Sequence, residues 1–172
     1  MSHGTIPAYI TSLIRHFADL RDGTHGGSAS REDKEAHFEK AVQLLAPVAR
    51  QVLAEMNTSL LLNTGQLTET GLRSTEDGGL EALWALSWPE QRAAAVEPIV
   101  LQAYFRRSFH HPHLRRTTVH DWPLNVFSDE DATAQLSILR AIASSDLHNL
   151  VYLSDYRIVP VVTANRASPI KL

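Results

Sequence analysis

The stretch from Ser30 to Asn57 constrains the fold most. Phe38, Val42, Leu45, Ala49, Val52, Leu53 and Met56 recur at helical spacing, which lays one apolar stripe along a long helix that another element must cover. Ser30, with Asp33 three residues on, has the form of a capping box opening that helix. Pro47 sits inside the stripe and predicts a kink or a division into two helices.

A second period begins at Leu80. Leu80, Ala82, Trp84, Leu86 and Trp88 alternate with Glu81, Leu83, Ala85 and Ser87, the repeat of a strand with one buried face. The preceding residues 58–63 are β-prone, and Thr64–Gly65, Thr70–Gly71 and Asp77–Gly78–Gly79 punctuate the chain as turns. The expectation is an antiparallel meander with Trp84 and Trp88 inside. Two periods in mixed order within one chain read as α+β: helices packed on a small antiparallel β-sheet, in a single domain over residues 1–172.

The flanking segments follow from the same rules. Residues 6–21 read as a helix, with Ile6, Ile10, Leu13, Ile14, Phe17 and Leu20 as its stripe, Pro7 in the first turn and Gly23 as its stop. Residues 22–30, rich in glycine and serine, read as a mobile linker; their spacing fits neither a dinucleotide fingerprint nor a P-loop. Pro89 opens a short helix through Val96, and residues 99–109 favour a helix over a strand. Ser128 and Asp131 cap a helix from about Asp129 to Asp146. The β-branched and aromatic run 149–162 predicts one or two strands, and residues 163–172 a frayed tail.

Charge and composition exclude several classes. The net charge of −3 comes with basic residues spread along the chain, which argues against nucleic acid. The absence of cysteine excludes disulfides, thiolate zinc sites and cysteine nucleophiles, and fits a reducing compartment. No apolar run is long enough to span a membrane and no secretory pattern opens the chain. A cytoplasmic protein is expected. Sheet completion across a homo-oligomer is also consistent with so few strands.

Residues 109–125, FHHPHLRRTTVHDWPLN, carry the chemistry. His110, His111, His113 and His120 fall within eleven positions of a chain with nine histidines. In an extended segment residues two apart share a face, so His111 and His113 can present two imidazoles to one ion. His120 supplies a third nitrogen, with His110 and His148 as further candidates. Such a set suits a divalent zinc, iron or manganese ion with an open position. Without a metal, His120 beside Asp121 is the candidate acid or base. In either case Arg115 or Arg116 would clamp a carboxylate and Trp122 would supply an apolar wall.

These residues point to a lyase, isomerase or hydrolase acting on a small carboxylated molecule, aromatic or aliphatic, with no nucleotide cofactor. The competing reading is a ligand-binding or interaction domain that uses the same loop without chemistry. His16, His25 and His37 stand alone in the sequence and read as surface or core residues.

Overall fold

The computed structural model describes residues 4–164. Its centre is helix α2, Arg31–Leu60. Ser30 caps it, its Oγ accepting from the Asp33 amide at 3.2 Å. The helix is not divided at Pro47. Pro47 and Gln43, whose carbonyl loses its N–H partner there, are both exposed, so water can satisfy that carbonyl.

The sheet is six-stranded and antiparallel throughout. Its spine is β1 (Gln66–Glu69), β3 (Leu80–Ser87), β4 (Ile99–Phe105), β5 (His113–Arg115) and β6 (Trp122–Pro123), in that order, while β2 (Arg73–Ser74) also pairs with β3. The alternation read in β3 holds: Ala82, Trp84 and Leu86 point into the core. There they meet Ile99, Leu101, Ala103 and Phe105 of β4 and the stripe of α2. Trp88, fully buried, donates its indole N–H to the Ile158 carbonyl. It also stands at the N-terminal end of the short helix α3, Pro89–Ala93. The α+β reading is therefore what the chain adopts.

Four segments differ from expectation. Residues 58–60 continue α2, because extending a formed helix is favourable whereas β-propensity is a weak local preference. Residues 99–105 form the strand between β3 and β5, buried on both faces. An apolar run covered on both sides loses its alternation and cannot be told from a helix by period. Pro112 and Pro123 predict irregular backbone through the histidine stretch, yet it supplies β5 and β6 at the sheet edge. The run 149–162 holds no strand. Helix α5, Leu136–Leu153, continues through it after the shorter α4, Asp129–Ala134. A 3-10 turn at Tyr156–Ile158 and the short helix α6, Pro160–Ala164, follow. The inward residues of α5, namely Leu139, Ile142, Ala143, Asp146, Leu147 and Leu150, keep helical spacing past the predicted stop. Residues 165–172 of the expected tail lie outside the described residues.

Helix α1, Ala8–Asp22, starts after Pro7 and ends at Gly23, whose φ of 68° is the left-handed conformation a glycine adopts without strain. It lies beside β6 and the start of α4, and it carries part of the site. No helix among the described residues is long and apolar enough to cross a membrane.

Candidate metal centre

The site forms where α1, the turn after it, α2 and the approach to β5 meet. Helix α1 turns a polar edge inward: Ser12 and His16 are buried, and Asp19 is next on the same face. Residues 22–30, expected to be a mobile linker, fold into a tight turn. His25 and Ser28 exchange backbone hydrogen bonds at 2.8 and 3.1 Å. Thr24 holds Asp19 from two sides, donating its amide to the Asp19 carbonyl and its hydroxyl to Asp19 Oδ1 at 2.9 Å. Gly26, at φ 58°, permits the turn and leaves room for Phe127. A Cβ there would stand 2.5 Å from the Phe127 ring. The turn thereby drives His25 into the interior.

Asp19, His25 and His111 each offer one ligand atom, and the three atoms lie within 4.8 Å of one another. His25 and His111 are 1% and 2% exposed. His111 donates its Nε2 hydrogen to the Thr24 carbonyl at 2.7 Å, which fixes the tautomer and leaves the Nδ1 lone pair free. Asp19 Oδ2 and both ring nitrogens of His25 are buried without a hydrogen-bond partner. Burying a polar atom in that way costs free energy that a bound cation would recover.

Further imidazoles surround this group. The His16 ring is 5.0 Å from His111 and 5.8 Å from His113, edge to face, and His16 Nδ1 and His113 Nδ1 are also buried and unpartnered. His37 lies on the far side of His25, with Nε2 3.1 Å from Ser28 Oγ. Burial first, and then the neighbouring histidines, push the His25 pKa down to about 3 and that of His16 to about 4. Burial likewise lowers His111 and His113. The rings are neutral at pH 7, the form in which imidazole ligates a metal. Five imidazoles and a carboxylate converge here.

The chain matches no protein-family model, no curated protein and no solved structure.

The residues singled out in the sequence separate in space. His111 joins the group, and His113 lies beside it. His110, His120, Asp121 and His148 are exposed and outside the group. His120 and Asp121 sit at the end of the turn joining β5 to β6, with Asp121 at a positive φ of 54°. Arg116 is not free to clamp a ligand. Its guanidinium bonds the buried Asp146 at 2.8 Å and Glu97 at 3.0 Å. Arg115 lies over the Tyr104 ring. Trp122 is half-buried on β6, its indole N–H buried and unpartnered.

Sequence reasoning missed His16, Asp19 and His25. A signal was available. On α1 His16 and Asp19 are three residues apart, which places both on one face beside Ser12 and away from the apolar stripe.

A cavity of about 310 Å³ opens near the group, lined in part by Arg31, Lys34, Arg107 and His110. Lys34 links the two: its ammonium donates to the Gly23 carbonyl at 3.1 Å, and its charge helps to lower both His25 and His111. Arg31 is already committed to Glu35 and to the carbonyls of Phe105, Arg106 and Phe109. The basic groups lining this cavity give it a cationic wall.

Proposed function

We propose that the protein binds one divalent transition-metal ion through Asp19, His25 and His111 and uses it on a small anionic molecule. The carrying observation is the buried set of converging ligand atoms, of which Asp19 Oδ2 and both His25 nitrogens lack any partner. Two imidazoles and a carboxylate suit zinc, iron(II) or manganese, and zinc foremost where the donors are few and buried. Such a set leaves a position for water or substrate, and the ion would acidify the water or polarise a carbonyl.

The cationic cavity beside Lys34 supports a carboxylate or phosphate as the substrate's charged end, with Arg107 and Lys34 in the anchoring role. The neutral rings of His16 and His113 stand next to the centre to accept a proton. A hydrolase or lyase reaction follows from these parts more directly than a redox one.

Elemental analysis of untagged protein by inductively coupled plasma mass spectrometry tests the reading. We expect close to one ion per chain, lost in His25→Ala and His111→Ala and kept in His120→Ala. Protein that contains no metal and takes none up on reconstitution overturns it. If the ion is present but phosphate and small carboxylates bind equally well to Arg107→Ala, the ion is a structural tie and the catalytic half fails.

A further inference from the structure

Helix α1 is polar where it meets its own chain and apolar where it does not. Tyr9, Ile14, Phe17 and Leu20, with Ile6 just before the helix, remain 51–59% exposed, while Ser12 and His16 are buried. What holds α1 in place is polar. Arg15 pairs with Asp131 at 3.3 Å, the Asn125 amide donates to the Ser12 carbonyl at 3.0 Å, and Lys34 donates to the Gly23 carbonyl. A soluble helix normally does the reverse.

The spacing of the outward residues decides what covers them. Within the helix Ile10, Leu13, Phe17 and Leu20 follow one another at steps of three, four and three, the first two half-buried and the last two exposed. That 3.5-residue repeat is the seam of two helices packed side by side, and it is complementary to itself. Ser12 and Asp19, which contact the chain's own body, fall at positions such a seam leaves free. Tyr9 and Ile14 flank the seam, so no charge lies within it.

The area is also sufficient. Five large apolar side chains, each more than half exposed, make up about 500 Å² per chain, or about 1,000 Å² for two. That two-chain total reaches the lower bound for a specific interface.

We infer that α1 is the dimerisation helix, its 10–13–17–20 stripe packing against the same stripe of a second copy, with Tyr9 and Ile14 at its flanks and Ile6 just before the helix. The same helix then carries the interface on one face and His16 and Asp19 on another. Each α1 lies between its own body and its partner. This inference does not depend on metal binding.

Sedimentation equilibrium of the full chain tests it. We expect a mass near twice 19.1 kDa at micromolar concentration. Ile14→Glu with Leu20→Glu should weaken association by on the order of 100-fold or more and leave the helical circular dichroism intact. Leu72→Glu, on an exposed residue far from α1, should leave the dimer unchanged. Because the chain has no cysteine, Leu13→Cys provides an independent reading. On the stripe it meets its own copy when the two helices run parallel and position 17 when they run antiparallel, so mild oxidation of Leu13→Cys, or of Leu13→Cys with Phe17→Cys, should give a covalent dimer. A monomer at all concentrations overturns the inference. If that monomer floats with phosphatidylglycerol vesicles, the face is a membrane contact instead. A dimer that survives the double glutamate variant and cross-links with neither the single nor the double cysteine variant places the interface elsewhere and also overturns it.

Discussion

His25 Nδ1 stands 4.0 Å from Asp19 Oδ2, and neither atom has a hydrogen-bond partner. The imidazole is neutral at pH 7, so the pair is not an ion pair; burial has driven its pKa to about 3. A carboxylate oxygen and a ring nitrogen buried side by side without hydrogen-bond partners are destabilising unless a cation or a proton lies between them. The relationship predicts ligand-linked stability. Saturating zinc, at a thousand times its dissociation constant, should add about 4 kcal/mol to unfolding and raise Tm by roughly 10 °C for a chain of this size. His25→Ala should abolish the increase and Asp19→Asn should reduce it, as read by differential scanning calorimetry with and without chelator.

The metal-free protein should be acid-sensitive in a defined window. In the unfolded chain histidine titrates near 6.5, whereas His16 and His25 are held at about 4 and about 3. Below pH 6.5 the unfolded state therefore binds more protons than the folded one, and stability falls as pH falls. The slope is about 1.4 kcal/mol per pH unit for each imidazole. Stability is full above 6.5, and the loss continues until the folded groups titrate. Urea midpoints in chelator at pH 7.5 and pH 5.0 check this. Equal midpoints would mean that neither ring is buried neutral.

How much of this was legible in the sequence depends on which interactions are local. The stripe from Phe38 to Met56 and the alternation through Trp84 are periodic, and both elements form where the period puts them. The strand at Ile99–Phe105 was not legible. Both of its faces are covered, and the carboxylate that takes its Val100 amide comes from Asp146, 46 residues away. The site divides the same way. His111 stood out because histidines cluster around it in sequence. His25 did not, because a turn closed by Ser28 and packed on Phe127 makes its environment. Nothing in DGTHGGSAS alone distinguishes a linker from a turn that buries its histidine.

That turn gives a backbone prediction. Gly26 and Gly27 both hold positive φ, but only Gly26 is crowded, by Phe127 at 2.5 Å and the His37 ring at 3.2 Å. Gly27→Ala meets open space and should cost only the left-handed backbone strain, about 1 kcal/mol. Gly26→Ala adds a steric clash that must displace Phe127 or His37, so it should cost at least about 2 kcal/mol and weaken metal binding as well. Urea unfolding and a competitive zinc titration of the two variants separate the terms. If both behave alike, packing beneath the turn does not position His25.

Arg116 provides the control that separates fold from site. Its guanidinium meets Asp146 Oδ1, while Asp146 Oδ2 accepts from the Val100 amide in the central strand. Burial pushes the Asp146 pKa up in spite of both partners. Removing the arginine leaves a buried carboxylate with one donor, and breaking a buried pair from one side costs about 3–5 kcal/mol. Asp146→Asn should cost less, because its amide oxygen still accepts from Val100 and Arg116 keeps Glu97 as a partner. Acidification should narrow the gap between Arg116→Ala and wild type, because the carboxylate whose pKa burial already raises loses a cation that opposed the rise and protonates more readily. Both variants should keep the metal that His25→Ala and His111→Ala lose. Arg116→Ala protein that is as stable as wild type but no longer binds carboxylates would return this residue to the substrate-clamping role its place in the sequence first suggested.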